Sequence, residues 1–322
     1  MNSDEITSVL ERLAALVAEQ YVFPEVGREV ADRLRTAAAE GRYDDLTDPE
    51  RLAAQVTVDL QEGNQDKHLR LKFHRTEVPD ETDPAAEEKY WVDRARLDAG
   101  GVARVERLPG NIGLLEIRPL LFDPHHAGAA VTAAMTLLAG TDALLLDLRG
   151  CLGGSPDQVA LVCSHLFDGE PVHLNDLVRP ATGEVRQFWT FPHLTGPRYG
   201  GAKPVWVLTS GTTFSGGEEL AYDLQQLGRA KIVGERTGGG AHPRDGIKLH
   251  PHLEATIPVM RAINPISGTN WEGVGVIPDL EVPAADAYDV AYREAVDHIL
   301  GLPAAPERLA VLDEARASIA GL

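Results

Sequence analysis

Cysteine is nearly absent from this chain, which has only Cys151 and Cys163. Neither lies in a Cys-x-x-Cys spacing or beside histidine ligands, so both read as buried free thiols in a reducing compartment. Basic charge is also short. Lys and Arg number 30 against 49 Asp and Glu, a formal net charge of −19, which argues against nucleic acid and anionic membrane surfaces as partners. The acidic excess itself reads as solvated surface and names no partner. No uninterrupted apolar run approaches membrane-spanning length. The opening Met1-Asn-Ser-Asp-Glu5 offers neither a basic nor an apolar leader region, so no signal peptide is expected and the expected location is the cytoplasm. There is no HExxH metal spacing, phosphate loop, internal repeat or low-complexity tract, and neither metal nor cofactor is expected. What remains is ordinary: 322 residues, 43% hydrophobic and 25% charged, enough for one large domain or two unequal ones with a full core.

The first 63 residues read as three amphipathic helices. Ile6, Leu10, Leu13 and Val17 share one face, with Ser3 or Asp4 as cap. Pro24 opens the second, with Val26, Val30, Ala31 and Leu34 on its apolar side and Gly41 as its stop; Gly27 weakens it slightly. Thr47 with Glu50 reads as a capping box for the third, which carries Leu52, Val56 and Leu60. Residues 63–68 form a loop ending at His68, followed by an alternating strand (Leu69, Leu71, Phe73). Residues 75–90, rich in Pro, Asp, Glu and Thr, read as an exposed linker. From Arg104 strands and helices alternate: strands at 112–117, 143–148, 204–208 and 230–233, helices at 127–138 and 156–167, a hairpin over 172–190 and a strand at 254–259. Helices at about 286–300 and 306–320 close the chain. Repeated β-turn-α-β units imply a parallel sheet with helical crossovers, whose sites lie at the carboxyl ends of strands.

Two glycine-rich turns stand at such ends, at 149–155 and 210–217. The second holds Ser215, between an apolar strand and a helix carrying Leu220, Leu224 and Leu227. Taken alone, a serine there caps the helix. It is also where a nucleophile gains from free N–H groups and the helix dipole. Acyl transfer needs a nucleophile, a base, an orienter for the base and an oxyanion hole. The chain offers Ser215; His68 or His242; Glu272, Glu218 or Glu235; and backbone N–H groups at Gly153, Gly154 and Gly216. Each glutamate taken alone reads as solvated surface charge, and spacing does not pair these groups.

Resemblance narrows the choice. Asp147-Leu-Arg-Gly-Cys-Leu-Gly-Gly154 resembles the Asp-x-Arg-x-x-x-Gly-Gly turn of the S41 peptidases, which include the tail-specific processing proteases, the tricorn core and the interphotoreceptor retinoid-binding modules. Thr213-Phe-Ser-Gly-Gly-Glu-Glu-Leu220 is similar to their nucleophile segment, Gly234-Glu-Arg-Thr-Gly-Gly239 to the turn after it, and Glu272-Gly-Val-Gly-Val-Ile-Pro-Asp279 to a closing block. Leu108-Pro-Gly-Asn-Ile-Gly113 resembles the start of the core in the retinoid-binding branch. These ordered blocks run over about 60–285. The resemblance implies a ClpP/crotonase-like parallel α/β core over 104–322, a helical subdomain with a short strand over 1–74 and a linker over 75–103. The 30-residue interval from Phe73 to Arg104 leaves no room for a PDZ domain, so capture of unfolded protein C-termini is not expected.

In the processing proteases the serine is paired with a lysine, but Gly240 stands at that position here and Lys231 and Lys248 lie outside the loop. The tricorn branch instead uses a histidine from the helical subdomain and a glutamate before the final Pro-Asp, and His68 and Glu272 fall at these places. Lys67 replaces the tricorn serine that links the two, so a direct contact from Glu272 is expected. The resemblance thus implies Ser215 as nucleophile, His68 as general base, Glu272 as orienter and Gly216 with Gly153 or Gly154 as the oxyanion hole. His242, with Gly240 and Phe214, is expected to touch substrate first and to be the rival base second. The implied activity is a serine hydrolase acting on a peptide or small acyl or amide substrate. Competing expectations are a non-catalytic module binding an apolar, retinoid- or lipid-like ligand, and a repurposed enzyme of this fold acting on a small molecule. The oligomeric state is left open.

Overall fold

The computed structural model describes residues 1–78 and 84–319. In chain order these carry helices α1 (Ser3–Gln20), α2 (Pro24–Ala39) and α3 (Pro49–Gln61), strand β1 (Arg70–Phe73) and helix α4 (Pro84–Leu97). Strands β2 (Val102–Leu108) and β3 (Ile112–Ile117), helix α5 (Pro124–Leu138), strand β4 (Ala143–Asp147) and helix α6 (Pro156–Leu166) follow. The hairpin strands β5 (His173–Arg179) and β6 (Glu184–Trp189) lead to β7 (Val205–Thr209), α7 (Gly216–Gln226) and β8 (Lys231–Gly234). Strands β9 (Arg244–His250), β10 (Leu253–Pro258), β11 (Arg261–Ile263) and β12 (Leu280–Glu281) precede α8 (Ala287–Gly301) and α9 (Leu309–Ile319). Residue 320 of the helix expected over 306–320 lies outside the described residues, as do residues 79–83 of the expected linker. Within that linker the chain forms α4, of which only Ala95 is buried. Among the described residues no helix is long and apolar enough to cross a membrane.

The chain divides into two compact units. The first comprises Met1–Tyr90, Asp176–Arg186 and Gly240–Ile263. Its sheet runs β1-β10-β9, antiparallel throughout, with Leu71 opposite Ala255 and Phe73 opposite Leu253. Leu13, Val17, Leu52, Val56 and Leu60 bury their side chains with Leu71, Leu253 and Ile257 in one core. The charged face of β9 hid it from periodicity; Arg244, Asp245 and Lys248 interrupt the apolar pattern.

Two caps differ from expectation. Asn2, not Ser3 or Asp4, begins α1. Its side chain accepts from Glu5 N at 2.9 Å and Glu5 accepts from Asn2 N at 2.8 Å, so both end donors are satisfied reciprocally. Asp48, not Thr47, caps α3, accepting from Glu50 N at 2.9 Å and Arg51 N at 3.0 Å. Pro49 supplies the first helical residue and so fixes residue 48 as the cap. Gly27, a weakness by propensity, is required by packing. A Cβ there would lie 2.7 Å from Val17 O and 2.9 Å from Tyr21 Cβ, so its absence lets α2 approach α1.

The second unit comprises Trp91–Asn175, Gln187–Gly239 and Asn264–Leu322. Its six-stranded sheet is ordered β12-β8-β7-β4-β3-β2, parallel except for the antiparallel edge strand β2. Edge strand β2 has no clean alternation, with Val102-Ala103 and Glu106-Arg107 as like neighbours and only Leu108 buried, so the sequence pattern does not mark it, whereas central β4 is buried at all five positions. Ala287, Ala291, Ala295 and Ile299 of α8 pack on Ile112, Leu114, Leu145 and Leu208. Strands β4 and β7 are parallel neighbours with Asp147 opposite Leu208. Both glycine-rich turns therefore leave the same end of the sheet side by side, where sites in parallel sheets form.

Candidate active site

The first turn is stitched down on both sides. Arg149 binds the Asp147 carboxylate through Nε at 2.9 Å and Nη2 at 2.6 Å, and its Nη1 donates to Ala284 O at 2.8 Å. Asp147 and Arg149 thus fix the loop between strand and glycines. Leu121 N donates to Gly153 O at 2.8 Å, Ser155 N to Leu121 O at 2.7 Å and Phe214 N to Cys151 O at 3.0 Å. Gly153 and Gly154 have φ of 128° and 134°, a region L side chains rarely enter. A Cβ on Gly153 would stand 2.9 Å from Ser215 Cβ, and one on Gly154 would strike the Leu121 carbonyl.

Ser215 holds the position before α7 at φ 51° and ψ −121°. An ordinary cap sits in the β region; a non-glycine residue at positive φ with extended ψ is strained by on the order of 1–3 kcal/mol. Gly216 follows, and a Cβ there would lie 2.7 Å from Gly154 O and 3.0 Å from Gly154 N. The structure thus brings together Ser215, Gly153, Gly154 and Gly216. Phe214 is half-buried and lies over Gly238, whose Cβ would approach Phe214 Cδ2 to 2.8 Å.

Glu218 is not the solvated charge its spacing suggests. It is fully buried and accepts from Ser215 N at 2.9 Å, Thr237 Oγ1 at 2.5 Å and Gly239 N at 2.6 Å. Glu235 is exposed and accepts from Gly211 N and Ala284 N at 3.1 Å each, bonds that hold its carboxyl below the usual range. Glu272 is half-buried in the closing turn, its N–H on Asn270 Oδ1 at 2.9 Å.

His68, His242 and Gly240 belong to the first unit. Sequence reasoning missed Asp66, which binds both histidines. Asp66 is 1% exposed; its Oδ1 accepts from His68 N at 3.0 Å, and its Oδ2 lies 2.8 Å from His242 Nδ1 and accepts from Tyr21 OH at 3.0 Å. Burial opposes its charge, but the bond and charge of His242 and the bond from His68 N outweigh it and hold the carboxyl below its ordinary value. Burial pushes the His68 imidazole down to about 4, with Arg70 and Arg244 adding to the effect against Asp66. His242 is buried, with the Phe23 ring edge-on at 5.4 Å. The one available signal for Asp66 was an Asx-type turn, Asn64 Oδ1 accepting from Asp66 N at 2.9 Å, in a loop leading to a histidine.

Both cysteines are free and buried, and burial pushes the Cys151 thiol up to about 11. That leaves a neutral thiol beside the glycine turn rather than a reactive thiolate.

A parallel α/β sheet with a strained serine between strand and helix, facing a glycine turn from the next strand, is an architecture of hydrolases that use an activated hydroxyl. The chain belongs to peptidase family S41, whose model matches residues 111–282, and the model of the N-terminal domain of peptidase S41 in eukaryotic IRBP matches residues 3–96. Among solved structures, a candidate peptidase from Parabacteroides merdae is similar at TM-score 0.60 and 17% identity, over 94% of this chain and 98% of that one. The tricorn protease is similar at 0.59 and 13%, over 92% of this chain and 37% of that one. A lipoprotein from Streptococcus agalactiae is similar at 0.57 and 14%, over 92% and 96%. At these identities the likeness is one of fold.

Proposed function

We propose that the protein is a serine hydrolase acting on peptides or on small acyl or amide substrates. Ser215 Oγ attacks the acyl carbonyl while His68 takes the hydroxyl proton. The C–O bond to the enzyme forms, and the carbonyl oxygen becomes an oxyanion held by N–H groups of Gly216 and of Gly153 or Gly154. The imidazolium returns its proton to the leaving amine or alcohol as the scissile bond breaks. Water, deprotonated by the same imidazole, then attacks the acyl carbon, and the imidazolium gives that proton to Ser215 Oγ as its bond to the acyl carbon breaks and the acid leaves. Glu272 orients the imidazole and stabilises its charged form. Each oxyanion donor contributes on the order of 3 kcal/mol to lowering the barrier.

The observation that carries this reading is the backbone of Ser215, φ 51° and ψ −121°, a conformation an ordinary cap has no need of, set against glycines whose N–H groups are near it. A fluorophosphonate probe tests it: wild type is labelled at Ser215 and Ser215→Ala is not. A folded wild type that resists labelling would leave a binding module as the better reading.

One observation favours a second assignment of the base. His242 Nδ1 lies 2.8 Å from a buried aspartate, the relation that holds a catalytic imidazole in the tautomer with Nε2 free. His242 is then the proton acceptor and Asp66 its orienter.

A further inference from the structure

The Glu218 carboxylate does more than an acid at the third position of a helix requires. A capping box uses one oxygen, on the N–H of the cap residue. Here that bond is Ser215 N to Glu218 Oε2 at 2.9 Å, while Oε1 takes Thr237 Oγ1 at 2.5 Å and Gly239 N at 2.6 Å from a separate loop. The Thr237 hydroxyl has one proton, committed to Glu218, and its lone pair accepts from Val276 N at 2.7 Å. Thr237 N donates to Val276 O at 3.2 Å and Gly273 N to Gly239 O at 3.1 Å. Residues 271–276, which include Glu272, are therefore tied by directed bonds through Thr237 and Glu218 to the peptide N–H of Ser215. Glu218 and Thr237 are buried, at 0% and 6% exposure, where such bonds are strong and costly to leave unmade.

We infer that Glu218 and Thr237 are a positioning pair: they hold the nucleophile backbone in its strained conformation and set the Glu272 turn at a fixed offset from it. This rests on the reading of Ser215 as nucleophile. Neither side chain touches the reacting atoms; both act through residues 215 and 272.

The test uses the full chain, a fluorophosphonate probe and a p-nitrophenyl ester. Thr237→Val keeps the shape and removes the hydroxyl, and Glu218→Gln puts an amide N–H₂ where only acceptors fit. Both lower the second-order labelling rate and the ester kcat by about 10–100-fold, the loss of a hydrogen bond to a charged group, with KM within about threefold. Thr237→Ser restores the rate to within about threefold of wild type, and the Glu218→Gln/Thr237→Val double variant loses less than the two single losses combined. Near-UV circular dichroism normalises each rate to folded protein; if one single variant does not fold, the other with Thr237→Ser decides. Folded variants that label at the wild-type rate, or a Thr237→Ser no better than Thr237→Val, overturn the pair while Ser215 remains the nucleophile. A wild type that is not labelled at Ser215 overturns both readings.

Discussion

His242 Nδ1 and Asp66 Oδ2 stand 2.8 Å apart, both almost wholly buried, at positions 176 residues apart in sequence. The same carboxylate holds the N–H of His68 at 3.0 Å. Each histidine thus depends on one aspartate, but in different ways: His242 through its ring, His68 through its backbone.

This difference separates the roles. With His68 as base, His68→Ala lowers the labelling rate by about 10³-fold or more, since a missing base removes most of the activation of the nucleophile. His242→Ala and Asp66→Asn then act mainly on KM and resemble each other. The opposite ranking, with His242→Ala and Asp66→Asn both losing kcat and His68→Ala near wild type, assigns the base to His242.

The pH profile offers an independent check. Burial holds the His68 imidazole at about 4, so it is neutral throughout the physiological range. The labelling rate therefore holds from pH 8 down to about pH 5 and bends near pH 4. A bend between pH 6 and 7, where an unperturbed histidine titrates, contradicts His68 as the base.

Gly27→Ala sets two effects against each other. Alanine is the better helix former by about 1 kcal/mol, which predicts stabilisation from propensity. Its methyl would meet Val17 O at 2.7 Å and Tyr21 Cβ at 2.9 Å, and overpacking of that kind costs about 1–3 kcal/mol. Packing wins, and the midpoint of thermal unfolding falls.

Stability against pH has two opposed contributions. His68 and His165, both brought to about 4 by burial, bind protons more readily when unfolded. Their contribution is full above about pH 6.5 and is lost as pH falls toward 4. Glu219 is raised to about 7, by burial first and the Asp157 charge next, against its bond from Asn175; Asp223, one turn on, is raised by burial and by Glu219. A raised carboxyl contributes fully below its unfolded value of 4.5 and loses that contribution as pH rises through 7. Glu219→Gln removes the alkaline loss and can still accept from Asn175. The variant's Tm relative to wild type is expected to rise by at least about 2 °C between pH 5 and pH 8, since at roughly 2.1 cal/mol/K of unfolding entropy per residue each kcal/mol is worth about 1.5 °C in a chain of 322 residues. An unchanged difference across that range would count against Glu219 as the titrating group.

The three N-terminal helices, the parallel sheet and the strand–turn–helix around Ser215 were legible in the sequence because local pattern dictates them: apolar spacing, Pro24 and Pro49 at helix starts, glycines after buried strands. β2 and β9 were not, because three of the seven residues in each are charged and their pairing is set by tertiary partners rather than by alternation. The glutamates show the same limit at the site. Glu218, Glu235 and Glu272 look alike in sequence, yet one is a buried clamp, one an exposed acceptor for two loops and one half-buried in the closing turn. Asp66 was passed over because its partner His242 lies 176 residues away, a distance no local rule spans.

The register of β4 against β7 has a consequence for how such a protein fails. Asp147 faces Leu208, and each turn begins within a few residues of that pair, so the glycine N–H groups and the Ser215 hydroxyl share a common origin in the sheet. A slip of one residue would carry one turn about 3.3 Å past the other, more than the whole length of the hydrogen bonds at stake. On the proposed role of Ser215 as nucleophile, its labelling rate is therefore a local gauge of strand alignment, lost as soon as the two strands shear even while the helices around them stay formed.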